Sequence, residues 1–494
     1  MKKIYRALCL ILAFASVMSF SSCAIQFNRP SPADTSVGTA DTEDTVQSPD
    51  DTTGHDYVIV ENDFTKEVNA HLNSIGEADY EGSVIMIATP KESLINEDEC
   101  GIVMAKTVKT RNSMVENRFN ISVYSKNVDP DTMFTELSNS VRAGDYYADL
   151  LMIPQYYISQ FAISGLLFNL NSLPFVNFDA GYNIESGVSA AMALSKGYAA
   201  AGWACFDPDC LSAVFFNRQL VADAGLESPY ELVRQGKWTW DEFFVYTGAV
   251  EGLNEKRAEG SLEAVYSYGS QNAALYLADL VFISEGNSFI SGGLGNEPFV
   301  SITYDSSLHA MGTAQTLYSD PHKDRNSMEA ISTFASGGSV FLIDRLSTMK
   351  KISNSDAEWG IVPLPKASAE QENYRTLMSN EALFFAVPAN CNSSETVSRI
   401  LSAMNAASLG FMADAYVTDA MYYYLRDNDS VEMMEKICYS AYYDMAYTCE
   451  HYDTNIPNST YFAVRNVYEW NHDMNFYLSR FEYSANYALR RFFS

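Results

Sequence analysis

The sequence predicts two α/β lobes followed by a largely helical tail, and three observations carry that expectation. At 494 residues the chain exceeds what a single core ordinarily organises. From Gly82 onward, short β-rich runs alternate with segments of helical periodicity, the rhythm of a parallel sheet covered by helices. The same rhythm restarts at "CLSAVFFN", near Cys210, without any internal sequence repeat. An aromatic share of 13% is far too apolar for a disordered chain.

The first segment, "MKKIYRALCLILAFASVMSFSSC", has a basic start (Lys2, Lys3, Arg6), an apolar run from Ala7 to Phe20, and small residues before Cys23. It reads as an export signal over residues 1–22. The run falls short of the roughly 20 residues a spanning helix needs. "FSSC" resembles the bacterial lipobox, which makes Cys23 the expected lipid anchor and mature N-terminus; a plain secretory signal with an incidental cysteine is the alternative. Residues 23–57 are rich in Ser, Thr, Asp and Pro and predict a flexible tether. A coil of that length spans roughly 30 Å. The expected location is the outer face of the cytoplasmic membrane, reached through lipid alone.

The elements follow in order. "GSVIMIAT" predicts a strand. Ile102, Ala105, Val108, Val115 and Phe119 fall on one face of a helix. "FNISVYS" is a strand, Phe134, Leu137 and Val141 mark a helix, "ADLLMIP" is a buried strand, and "YYISQFAISGLL" continues as a helix. After the restart come the helical segments "WTWDEFFVYTGAVEGL" and "NAALYLADLVFISEG". Strand-like "GGSVFLID", "WGIVPLP" and "EALFFAVP" lead to a Tyr- and Met-rich helical tail from Ser394 to Ser494.

"GKWTWDEF" poses a choice between a helix start and an aromatic floor for a ligand. Thr239 and Glu242 have capping-box spacing, and Trp238 before the cap can staple onto Phe243 at the fourth helical position. The segment is therefore expected to begin a helix.

Lys plus Arg number 32 against 62 Asp plus Glu, a net charge of -30. Such a chain repels phosphate backbones, so nucleic acid is not an expected partner. Six cysteines follow Cys23, and Cys205 with Cys210 could close a small loop, although unpaired thiols are expected for most. The zinc, P-loop, EF-hand and Gly-x-Ser-x-Gly patterns are missing, so no metal or cofactor is expected. "SGGLGNE" reads as a flexible surface loop, and "MYYYL" as packing rather than a carbohydrate stripe. Carboxylate pairs at hydrolase separation are spatial, so a secreted carbohydrate-active enzyme stays open as an alternative.

"AVFFNRQLVADAGLESPYELVRQGKWTWDEF" resembles the extracellular solute-binding proteins of bacterial ABC importers, the family that includes carbohydrate-binding lipoproteins. Phe216 and Asn217, Ala224 to Leu226, Pro229, and Thr239 to Glu242 carry the likeness. "DLLMIPQYYISQFAISGLLFNL", "FASGGSVFLID" and "WGIVPLPKA" extend it from about Tyr80 to Ile400.

The resemblance implies a type II periplasmic-binding-protein fold with hinge crossovers near Lys196 to Asp209, Gly337 to Arg345, and Val387 to Ser394. Lobe 1 is then expected at 58–204 and 341–390, and lobe 2 at 205–340 and 391–494. It implies a monomer that closes on a mono- or oligosaccharide and hands it to permease subunits, with a peptide or polyamine as the alternative solute. Ligands of open α/β sheets sit beyond the carboxyl ends of strands. That rule and the resemblance select the loop Thr89 to Glu97, Gln155, and the candidate ligand contacts Tyr156, Tyr157, Trp203, Asp207, Asp209, Asp344, Arg345, Asn380 and Glu381.

Overall fold

The computed structural model describes residues 63–494 except 100, 303–304 and 471–473. The expected export signal, Cys23 and the tether lie outside the described residues. Eight strands build the two principal sheets: β1 (Ser83–Thr89), β2 (Ile121–Asn127), β3 (Leu150–Pro154), β4 (Ser212–Asn217), β5 (Tyr266–Gly269), β6 (Ser339–Arg345), β7 (Trp359–Val362) and β8 (Leu383–Ala386). The helices that matter for the site are α1 (Asp63–Ile75), α2 (Ile102–Phe119), α3 (Pro130–Ala143), α4 (Trp240–Gly248), α5 (Leu277–Ser284), α6 (Ser394–Ala407), α7 (Phe411–Tyr423) and α8 (Asn428–Tyr439).

The first sheet has the order β8-β3-β1-β2. Strand β1 runs parallel to β2, from Ser83 opposite Ile121 to Thr89 opposite Asn127, and parallel to β3, while β8 is antiparallel to β3. The second sheet has the order β7-β4-β6-β5, with β4 antiparallel to both β6 and β7 and β5 parallel to β6. The chain enters β4 from the first sheet and β8 from the second. The carboxyl ends of β1 to β3 therefore face the carboxyl ends of β5 to β7 across a seam. Strands buried on both faces read as unbroken apolar runs, and β3, β4 and β7 are buried along their whole length, parallel or antiparallel.

Helix α2 buries Met104, Val108, Arg111, Val115 and Phe119. Ile102, expected on that face, is 75% exposed, because the buried stripe runs through Met104 and a residue two positions earlier points to the opposite side of the helix. Helix α3 starts with Asp129 accepting from the Thr132 amide and Pro130 at its first position, and it ends at Gly144 with φ 72°, a conformation glycine adopts without a side-chain clash. The "YYISQFAISGLL" helix is reduced to one short turn and a half, Ile158–Ile163, after a 3-10 turn at Gln155–Tyr157.

Several boundaries differ from expectation. Residues 341–362 stay in the second lobe, because β6 and β7 both pair with β4; the return to the first lobe comes between Val362 and Leu383. Residues 394–415 belong with the first lobe, where Val397, Ile400, Leu401, Met404 and Met412 share a core with α1 and α2. The third crossing comes after α7, which packs on α2, and before α8, which packs on β7. Between the two sheets the chain runs from Ala200, which bridges Phe385 of β8, to Ser212, which opens β4. "SGGLGNE" is a β-hairpin turn between Ile290–Gly293 and Asn296–Val300. Its glycines are required, since Gly293 has φ 103° and any Cβ there would run into the Ser189 carbonyl.

The apolar core is nearly continuous through the seam: one cluster joins Leu151 and Ile153 of β3 to Val214 and Phe215 of β4 and Tyr443 of the tail. Cys205, Cys210, Cys391, Cys438 and Cys449 are free thiols, so Cys205 and Cys210 are not bridged.

Candidate functional site

At the carboxyl end of β1, the Thr89 hydroxyl accepts from the Lys91 amide at 3.1 Å and turns the chain so that Lys91 reaches across the seam. On the first crossover, Asp207 accepts from the Asp209 amide at 3.1 Å, with Pro208 fixing the turn between them. Lys91 Nζ donates to both Asp207 oxygens at 2.6 Å and to Asp209 Oδ2 at 3.3 Å. From the second lobe, Lys350 Nζ donates to Asp209 Oδ2 at 2.9 Å, and from α7 the Tyr416 hydroxyl donates to Asp209 Oδ1 at 2.8 Å. Asp209 thus gathers partners from both lobes and the tail.

Burial alone would lower the Lys91 pKa, but the Asp207 and Asp209 carboxylates outweigh it and hold the ammonium above the usual lysine value. Desolvation likewise opposes ionisation of Asp209, and Lys91 and Lys350 overcome it, leaving its pKa below the ordinary value. Lys91 and Asp209 thus stabilise each other's charged forms.

This network floors a cavity of about 320 Å³ whose walls include Tyr416, Tyr423 and Tyr424. The tyrosines are positioned by the contact of α7 with α2. Gly101, before α2, has no side chain to cap the helix, and Asp419 of α7 does so instead, accepting from the Val103 and Met104 amides at 3.0 and 2.9 Å. Tyr423 remains 46% exposed at the mouth.

The other expected residues fall into two groups. Arg345, at the end of β6, pairs with Glu381 before β8, and its Nε donates to the Tyr276 hydroxyl at 2.7 Å. Asn380 donates to Glu450 at 3.2 Å, and its carbonyl accepts from the Tyr156 amide. Tyr156 is half-buried against Tyr157 and His451, with ring centroids 4.5 and 5.9 Å away. Tyr157 packs inward on Phe161 and donates to Asp131. These residues line the seam away from the cavity. Asp344 is fully buried, and its carboxylate accepts from the amides of Gln271, Asn272 and Arg345 at 3.0, 3.1 and 2.7 Å. It shapes the loop after β5, with no oxygen turned to a ligand. Trp203 packs against Phe206 and Tyr439, centroids 5.1 and 5.6 Å away, so its ring faces are largely taken.

Trp238 and Trp240 are buried and donate to the Pro363 carbonyl and the Ser284 hydroxyl. Thr239 caps α4, accepting from the Glu242 amide at 3.3 Å, and Trp238 meets Phe243 at 6.1 Å. "GKWTWDEF" is a helix start.

Sequence reasoning missed Lys350, Tyr416, Tyr423 and Tyr424 and reached Lys91 only as part of a loop. The signal available was "MYYYL", which reads as packing; Tyr423 and Tyr424 come to the cavity because α7 stays with the first lobe.

A family model described as bacterial extracellular solute-binding protein matches residues 116–397, more than half of the chain. Among solved structures, a cyclo/maltodextrin-binding protein complexed with maltotetraose superposes with a TM-score of 0.53 at 15% identity, covering 83% of this chain and 97% of that one. A cyclic alpha-maltosyl-1,6-maltose binding protein from Arthrobacter globiformis gives 0.53 at 13% identity, covering 83% and 100%. At such identities the likeness establishes the fold, the two-lobe periplasmic-binding-protein type. A search of curated proteins returns no match.

Proposed function

The chain belongs to the bacterial extracellular solute-binding protein family, and we propose that its ligand is a carbohydrate, captured between the lobes and passed unaltered to the membrane subunits of an ABC importer. The observation that carries this reading is the cavity that sets Tyr416, Tyr423 and Tyr424 beside Lys91, Asp207, Asp209 and Lys350. A sugar ring presents an apolar CH face, which packs on a tyrosine, and a rim of hydroxyls, which donate to carboxylates and accept from ammonium groups. Three aspartates and two lysines line the cavity, and each carboxylate is already engaged, Asp207 by Lys91, Asp209 by Lys91 and Lys350, and Asp419 by the Val103 and Met104 amides, so a polyamine or a peptide terminus meets no unpartnered carboxylate there. Of the structures it resembles, one is described as a cyclo/maltodextrin-binding protein and another as a cyclic alpha-maltosyl-1,6-maltose binding protein, which supports the same ligand class.

Family membership places the protein outside the cytoplasm. Within that compartment we assign it to the membrane surface through Cys23, held off the lipid by the 23–57 tether. Replacing Cys23 by Ser moves the protein from the membrane fraction to the soluble one; retention in the membrane contradicts the anchor.

A thermal-shift panel of neutral oligosaccharides, peptides and polyamines tests the ligand class. A specific sugar at 100 times its Kd adds about 2.7 kcal/mol of stability. Recovery of that sugar unchanged separates capture from hydrolysis.

A further inference from the structure

We propose that Arg345 and Glu381 form an interlobe clasp that sets how readily the lobes close, and that they act on the ligand only through closure. Arg345 ends β6 in the second sheet, and Glu381 immediately precedes β8 in the first. Their ion pair therefore spans the seam. Neither residue lines the cavity at Lys91 and Asp209, so a ligand seated there leaves the pair intact.

The two partners differ in how firmly they are held. Arg345 is oriented before it meets Glu381: its Nε donates to the Tyr276 hydroxyl at 2.7 Å, and its guanidinium carbon lies 5.5 Å from the centre of the Tyr276 ring. The aligned fork loses little rotamer freedom on pairing. Glu381 has its side chain 55% exposed and no comparable support, so it is the half that lets go. An exposed pair of this kind is screened by salt and worth a modest factor. A modest factor suffices to shift a two-state equilibrium when the open and closed forms lie close in energy.

The consequence for the site, which rests on the carbohydrate reading, is that even an uncharged sugar binds with salt-dependent affinity. Closure carries the ion pair while the sugar does not. The ligand itself contributes no salt dependence, and the share that belongs to the clasp is the share lost in Glu381→Gln, since the cavity ion pairs at Asp207 and Asp209 are unchanged in that variant.

The test uses the mature chain without ligand, so that it stands whether or not the carbohydrate reading holds. Small-angle scattering is recorded for the wild type, for Glu381→Gln, and for the charge-swapped double variant Arg345→Glu with Glu381→Arg, each at low salt and at high salt. The expected result is a larger radius of gyration for Glu381→Gln at low salt, expansion of the wild type toward the same value at high salt, and recovery in the swapped variant. Because Arg345→Glu also loses the bond that Arg345 Nε donates to the Tyr276 hydroxyl, Glu381→Gln against wild type is the deciding pair. Indistinguishable radii for those two at low salt overturn the clasp. With a sugar from the panel in hand, Glu381→Gln weakens binding about two- to fivefold at low salt and reduces its salt dependence to the part set by the Lys91 and Lys350 ion pairs. An affinity loss that persists undiminished at high salt assigns Glu381 to the ligand and also overturns the clasp.

Discussion

Asp209 is the residue on which the site turns, since it accepts from Lys91 of the first lobe, Lys350 of the second and Tyr416 of the tail. The tyrosines around it divide by exposure, and Tyr423, the most open, is the one whose loss isolates ligand packing from stability. Tyr423→Ala is expected to weaken the best sugar by about 0.5–1.5 kcal/mol in calorimetric titration, with an unchanged melting temperature. A second residue-scale consequence lies away from the site, at Asp444. Burial raises its carboxyl to about 6, even though the amides of Ala446 and Phe289 favour the ionised form. Unfolded, the same group titrates near 3.8. Between those values the native chain holds a proton that the unfolded chain has released, so this contribution is full below about pH 4 and is lost as pH rises through 6. Relative to Asp444→Asn, the wild type should gain on the order of 2 kcal/mol in denaturant melts between pH 7 and pH 4. A gap that does not change with pH contradicts the assignment.

At the scale of elements, local chemistry was readable wherever it depends on neighbours in sequence. Thr239, three residues before Glu242, announces the start of α4, and the cap forms although Glu242 does not complete the reciprocal bond. Thr239→Ala is expected to cost about 1 kcal/mol in chemical denaturation and to leave sugar affinity as it was. The strands were legible because buried parallel strands need unbroken apolar runs, as in "ADLLMIP". Helix α2 shows where this reading stops. Its N-terminus is capped by Asp419, 316 residues from Val103, and no local pattern reports a partner at that distance. The same limit hid the tyrosine wall, because "MYYYL" looks like any amphipathic helix end until α7 is seen lying on α2. Asp344 illustrates the converse: an acidic residue at a strand end has the right sequence for a ligand contact, but three backbone amides claim it.

At the scale of the whole molecule, the two-lobe plan followed from the repeated strand-helix rhythm, while the crossing points did not. The chain returns to the first lobe only after β7 and leaves it only after α7, since sheet pairing, not composition, decides where a segment belongs. The outcome is a seam crossed by the Arg345–Glu381 pair, with a tyrosine-walled cavity of partnered charges resting on the first crossover. In the function proposed, closure of the lobes about a ligand is the step that presents a new shape to the membrane partner. The central claim is that this cavity captures a neutral sugar and leaves it whole. Calorimetric titration of the mature chain with maltotetraose and related neutral oligosaccharides tests it most directly, run beside a polyamine and a short peptide and followed by recovery of the ligand. The account predicts saturable one-to-one binding of a sugar that is recovered intact and whose affinity falls in Tyr423→Ala. Binding of the polyamine or peptide instead, or cleavage of the sugar, would contradict it.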